Sequence, residues 1–169
     1  IKKNFFFIDN INTKKNYNKK NKILNIIISK SGNTLETISN FENLKNKKNN
    51  LFICENSNNY IRRLANKMKN EIVEHRNYIG GRYSVLSEVG MLPATLMGLN
   101  PKKFKRFDYL IKNKKFINSL IENVSSTVAL INKKKFNSII LNFDENSEDL
   151  FKWYQQLISE SLGKKSKGL

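Results

Sequence analysis

Short apolar runs, rich in β-branched and aromatic residues, punctuate a chain that is otherwise strongly polar. The runs are Phe5 to Ile8, Ile23 to Ile28, Leu51 to Cys54, Ile72 to Glu74 and Ser138 to Leu141. Each is mostly apolar on both faces, the pattern of strands in a parallel sheet covered on both sides. Between them apolar residues recur at helical spacing over Thr34 to Leu44, Tyr60 to Lys69, Ser87 to Met97, Phe104 to Lys112, Phe116 to Asn132 and Ser147 to Leu162. Ser147 stands where an N-cap is expected and Gly163 where the last helix should stop. Alternating strands and helices predict an α/β fold, a three-layer α/β/α sandwich with a mainly parallel sheet and right-handed crossovers. No internal repeat and no Gly/Ser-rich or Pro-rich linker interrupts the pattern, so residues 1–169 read as one domain.

Composition narrows the picture. The 169 residues are 39% hydrophobic and 27% charged, enough apolar material for a packed core. Cys54 is the single cysteine, which rules out an intrachain disulfide and favours a reducing compartment. No apolar run approaches the ~20 residues of a membrane helix; Val89 to Leu99 is short and contains Pro93. Lys and Arg exceed Asp and Glu to give a net charge of +17, the footprint expected of a nucleic-acid binder. The distribution argues against that partner. The lysines sit with asparagines in Asn12 to Lys22, Lys45 to Asn50 and Lys112 to Lys115, without an interleaved aromatic stripe for stacking bases. Lys, Asn, Ile and Phe share AT-rich codons, so a base-composition bias accounts for the pattern. The chain begins at Ile1 and ends in a basic stretch, and both ends read as cuts in a longer polypeptide.

Three segments carry candidate chemistry. Ser29-Lys30-Ser31-Gly32-Asn33-Thr34-Leu35-Glu36-Thr37 follows the run Ile23 to Ile28 and opens a helix. Ligands of parallel α/β sheets bind outside the carboxyl ends of the strands. Hydroxyls, a flexible Gly32 and the N–H groups of a helix start suit a phosphate dianion there, and Lys30 adds a positive charge. An ordinary N-cap turn would use the same residue types, so the residues alone leave both readings open. The spacing is not that of a GxxxxGK[ST] loop, which favours a phosphorylated metabolite over ATP or GTP.

The second segment is Asn77-Tyr78-Ile79-Gly80-Gly81-Arg82-Tyr83-Ser84, after the run Ile72 to Glu74. Two glycines permit positive φ and close approach of a ligand, and Arg82 suits a developing oxyanion. A tight turn with a surface arginine is the competing reading. The third is the helix end Trp153 to Lys164. Leu150, Tyr154, Leu157, Ile158 and Ser161 share a stripe assigned to the core, while Gln156 and Glu160 lie one turn apart on another face. A carboxylate in a last turn faces the negative end of the helix dipole, which favours its neutral form and suits a proton acceptor. A solvated polar face is the alternative. His75, the only histidine, has no ligand-spaced partner, so no metal is expected and the residue stays unassigned.

Together the segments resemble the phosphoglucose isomerase family. SKSGNTLET (Ser29 to Thr37) resembles the phosphate loop of its sugar-isomerase (SIS) domain, a flavodoxin-like architecture. NYIGGRYSVLS (Asn77 to Ser87) resembles the family's first signature, and QQLISESLGK (Gln155 to Lys164) the segment bearing its catalytic glutamate. The SGNT loop is shared by many phosphosugar-binding SIS proteins, whereas GGRYS with the Glu-x-x-Gly-Lys end is much more specific. The resemblance implies phosphate contacts at Ser29, Lys30, Ser31 and Thr34, with Gly32, Asn33 and Thr37 in the same loop and first helical turn. It also implies close approach of the ligand at Gly81, a substrate contact at Gln156, an oxyanion-stabilising Arg82 and the base Glu160.

The implied reaction is the isomerisation of glucose 6-phosphate to fructose 6-phosphate through a cis-enediolate, without a cofactor, in a cytoplasmic homodimer. Gly32 and Asn33 stand where bulkier or hydroxyl residues often occur. The resemblance covers a middle section of the family's length, and the histidine and lysine implicated in ring opening have no counterpart here. His75 does not match that histidine. A non-catalytic phosphosugar-binding SIS module would need the loop but not Glu160 or Arg82.

Overall fold

The computed structural model describes residues 5–8, 11, 23–44, 47–104, 106–134 and 139–163. It divides into two compact units, Ile1–Phe104 and Lys105–Leu169. The first carries three parallel strands in the order β1-β2-β3: β1 (Asn25–Ile28), β2 (Asn50–Glu55) and β3 (Glu71–His75). Helices α1 (Leu35–Glu42) and α2 (Tyr60–Lys67) make the two crossovers. The mixed α/β class and the parallel sheet expected from the sequence are therefore present.

β2 is the central strand and the most apolar. Phe52 and Cys54 point to one face and join Ile27, Phe41, Ile61 and Ala65 in the core. The Phe41 and Phe52 rings meet edge to face, with centroids 5.5 Å apart. Ile53 points to the opposite face by the period of a strand and is equally buried, so the middle of the sheet is covered on both sides. Full burial of each such aliphatic or aromatic side chain is worth about 1.5–3 kcal/mol. Burial also pushes the Cys54 thiol above its ordinary pKa, which keeps it a protonated, inert core residue.

α2 presents Ile61, Leu64 and Ala65 to the core at helical spacing and stops at Met68. Lys69 then takes a positive φ of 53°, and Asn70 N–H closes the helix on Ala65 O at 3.0 Å. After β3 come a 3₁₀ turn (Gly81–Leu86), α3 (Glu88–Leu96) and the short α4 (Pro101–Phe104). Ser87 caps α3 by accepting from Val89 N–H at 3.3 Å. Gly98, with φ 82°, ends it.

The second unit holds α5 (Asp108–Ile111), α6 (Lys114–Asn132), a 3₁₀ turn (Glu145–Ser147) and α7 (Glu148–Leu162). Asn113 caps α6 by accepting from Lys115 and Phe116 N–H. Glu148 and Asp149 place negative charge at the positive end of α7.

Several expectations fail in detail. Phe5 to Ile8 forms no strand and leaves Phe6 68% exposed. Ser138 lies outside the described residues, and Ile139 to Leu141 form no strand among the described residues, with Ile139 83% exposed. An apolar run becomes a strand only where a neighbouring strand satisfies its N–H and C=O groups. The single helix expected over Phe104 to Lys112 is two short ones, α4 and α5. Ser147 occupies the N-cap position of α7, but its hydroxyl donates to Asp144 at 2.6 Å instead of capping. Gly163 ends α7 with an ordinary φ of −75°. The stripe on α7 is not core: Leu150 and Tyr154 are about half exposed, and no described residue of the second unit is buried.

Candidate functional site

The loop after β1 is built as a continuation of the sheet and as a cap for the neighbouring helix. Ser29 N–H donates to Ile53 O, and Glu55 N–H donates to Lys30 O, both at 3.0 Å, so the loop leaves from the carboxyl edge. Ser29 Oγ accepts from Gly32 N–H at 3.1 Å and shares a 2.8 Å hydrogen bond with the Thr34 hydroxyl. Thr34 is the N-cap residue of α1 by position, yet no side chain caps that helix. Ser31 is exposed and accepts from Asn33 N–H at 3.3 Å. Thr37 donates weakly to Ile28 O at 3.5 Å.

Gly32 and Asn33 have a structural task that the sequence did not disclose. Gly32 is buried with φ 65°, and a Cβ there would lie 1.9 Å from Asn59 Oδ1. It is held in one conformation, not flexible. The first N–H groups of α2 are then met in succession. Tyr60 N–H donates to Asn33 Oδ1 at 3.0 Å, Ile61 N–H to Gly32 O at 3.0 Å, and Arg62 N–H to Asn59 Oδ1 at 2.8 Å. Two of these three orphan donors are satisfied by the loop after β1, which docks it on α2.

The Gly80-Gly81 pair does not use positive φ. Gly80 is extended, at φ −61° and ψ 144°, and Gly81 is not among the residues with positive φ. What Gly81 provides is room: a Cβ there would meet nothing within 4 Å. The turn is tied by Tyr83 N–H to Gly80 O at 2.9 Å and by the Ser84 hydroxyl to Gly81 O at 2.6 Å. Arg82 is half-buried as a residue, and its guanidinium sits 5.9 Å from the Tyr83 ring centroid. Behind it Gly90 of α3 lets the helix approach closely, since a Cβ would lie 2.1 Å from Val85 O.

The first two segments meet at one edge of the sheet. Lys30 Nζ donates to Asn77 O at 3.3 Å, joining the loop after β1 to the segment after β3. The edge thus offers an ammonium and hydroxyls beside the start of α1, with Arg82 on the segment that Lys30 contacts, a set suited to a phosphorylated, oxygen-rich ligand. In the second unit Gln156 Nε2 donates to Glu160 Oε1 at 2.9 Å on the exposed face of α7, as the one-turn spacing predicts.

One side-chain pair, a buried histidine and a partly exposed glutamate, had only a faint signal in the sequence. His75 is fully buried, with Nδ1 2.5 Å from Glu88 Oε1 and Nε2 3.2 Å from Ile79 O. A lone polar residue at the end of an apolar strand was the clue, but its partner is 13 residues away on α3. Among the described residues no group of His, Cys, Asp and Glu could hold a metal ion, and no helix is long and apolar enough to cross a membrane.

A sequence profile described as phosphoglucose isomerase matches residues 4–168. The chain is 33% identical over 159 residues to a glucose-6-phosphate isomerase of Clostridium tetani, covering 85% of this chain and 35% of that protein. It is 32% identical to the glucose-6-phosphate isomerase of Methanocaldococcus jannaschii, covering 98% of this chain and 45% of the relative. A third relative of that name, from Mycoplasmopsis pulmonis, is 32% identical over 85% of the chain and 37% of its own length. The chain therefore spans between about a third and a half of the curated relatives it matches. With the SGNT loop and the GGRYS turn joined at one sheet edge and the profile covering nearly every residue, the chain belongs to the phosphoglucose isomerase family.

Proposed function

We propose that this chain supplies the phosphate anchor, the oxyanion-stabilising arginine and the proton-transfer glutamate of a glucose-6-phosphate isomerase. The whole protein interconverts glucose 6-phosphate and fructose 6-phosphate, a glycolytic and gluconeogenic step that uses no cofactor. Family membership supports the reaction class, and the observation that carries the site is the Lys30–Asn77 contact, which unites two family motifs. Ser29, Lys30, Ser31, Gly32, Asn33, Thr34 and Thr37 form the anchor, with Gly32 and Asn33 acting through its shape. The anchor fixes the distance to the reacting carbons.

Glu160 takes the proton from C2 and returns it to C1, and Arg82 stabilises the enediolate oxygen. Gln156 orients the substrate and the Glu160 carboxylate, to which it donates. Gly81 leaves space for the ligand. Both units together form one SIS domain of a larger cytoplasmic homodimer, with neither nucleic acid nor membrane as a partner. Because this chain has no residue matched to ring opening, the isolated polypeptide is inactive.

The test is turnover of fructose 6-phosphate by the full-length protein and by this chain. Turnover by the former alone is expected. Robust turnover by the chain itself would overturn the incompleteness. Phosphosugar binding by a full-length protein that turns nothing over would favour a non-catalytic SIS module. Ser31→Asp sets a carboxylate against a dianion and should weaken phosphosugar binding severely without unfolding the chain; unchanged binding would reduce Ser29 to Thr34 to a helix cap.

A further inference from the structure

His75 closes β3, and the segment bearing Arg82 departs from it. Its ring is fully buried, and both nitrogens face acceptors. A carbonyl oxygen only accepts, so Nε2 carries a hydrogen and donates it to Ile79 O. Nδ1 faces Glu88 Oε1, which also accepts from Arg76 N–H at 3.3 Å. Burial pushes the Glu88 carboxyl up, but hydrogen bonds from its own N–H, from His75 and from Arg76 N–H bring it below the usual carboxylate range. Nδ1 and Glu88 Oε1 share a hydrogen bond 2.5 Å long, so both ring nitrogens are engaged. The other charged groups nearby are Glu55, the register partner of His75 on β2, and Arg76, whose guanidinium donates to Tyr78 Oη at 2.6 Å.

The partners of the ring bracket one segment. Ile79 immediately precedes Gly80-Gly81-Arg82, and Glu88 is the first residue of α3, which receives the chain after the 3₁₀ turn. We propose that the buried His75 ring, hydrogen-bonded to Ile79 O and Glu88, forms a clasp that holds the segment from Ile79 to Glu88 and thereby positions Arg82. His75 and Glu88 are positioning residues: they act through the backbone that carries the guanidinium. The functional consequence rests on the reading of Arg82 given above, whereas the clasp itself does not.

The chain contains a single histidine, so nitrogen-15 labelling of histidine reports one ring. The expected signature is a ring fixed by both hydrogen bonds, with slow exchange at Nε2–H that is lost in Glu88→Gln. A ring averaging freely between tautomers in the wild-type protein would overturn the clasp without any variant. Amide hydrogen exchange should speed up over residues 79–84 in Glu88→Gln while β2 stays protected; unchanged exchange there would also overturn it. In the full-length protein Glu88→Gln should lower kcat about 10- to 100-fold through displacement of Arg82, with KM for the phosphosugar within about twofold. Wild-type kcat in a variant that has lost the ring-hydrogen protection would sink the positioning role. An inactive wild-type protein would sink the isomerase reading and leave the spectroscopic and exchange results to decide the clasp.

Discussion

Lys30 Nζ lies 3.3 Å from the carbonyl oxygen of Asn77, 47 residues later in the chain. Lys30 follows β1 and Asn77 follows β3, so the bond spans the end of the central strand. It is an exposed single hydrogen bond, and such contacts contribute little to stability. Lys30→Met should change the unfolding free energy by less than about 0.5 kcal/mol yet weaken phosphosugar binding if the ammonium serves the proposed phosphate anchor. Denaturant titration beside calorimetric binding separates the two; intact affinity would remove Lys30 from the anchor.

The glycines of the two motifs should behave oppositely. Gly32→Ala forces a Cβ into the Asn59 carboxamide at a positive φ, and should cost about 1–3 kcal/mol. Gly81→Ala adds a Cβ to open space and should leave the melting temperature nearly unchanged while weakening ligand binding. Thermal unfolding and binding of both variants check this. A stable Gly32→Ala protein would contradict the docking of the loop on α2.

Glu160→Gln in the full-length protein keeps the size of the side chain but leaves it unable to take the proton in the proposed transfer. Turnover should fall about 10²- to 10⁴-fold, with phosphosugar affinity preserved. Solvent hydrogen exchange at C2 should fall in parallel. Near wild-type exchange would mean that another group carries the proton.

Acid stability follows from carboxylates held below their ordinary range. For Glu88 burial opposes the shift and hydrogen bonds, including that from His75, overcome it. For Asp144 the Ser147 hydroxyl leads, and for Glu148 the Lys152 ammonium. A depressed folded pKa contributes stability above the unfolded value of about 4 and loses it as pH falls through the lower folded value. Stability should therefore decline below about pH 4, and Glu88→Gln should flatten part of that limb. Circular dichroism during acid titration of both proteins is the measurement; superimposable limbs would show that the Glu88 hydrogen bonds contribute nothing.

The parallel α/β class, β1 to β3 and the long helices α6 and α7 were legible in the chain, because hydrophobic periodicity is local. The sequence also located the three chemical segments, since a hydroxyl-rich loop, a Gly-Gly-Arg turn and a one-turn Gln–Glu pair are local patterns; the Gln156–Glu160 bond followed from spacing alone. Which apolar runs became strands was a matter of tertiary packing, because a strand needs a partner remote in sequence; Ile139 to Leu141, as apolar as Leu51 to Cys54, form no strand among the described residues. The tertiary structure decided that Gly32 is there to fit against Asn59 and Gly81 to leave space, a distinction set by neighbouring atoms and not by glycine itself. It decided the partners of Asn33, Lys30 and His75, which lie 27, 47 and 13 residues away. A side chain of fixed type finds its hydrogen-bond partner only after packing has brought distant segments together, and no local pattern records that distance.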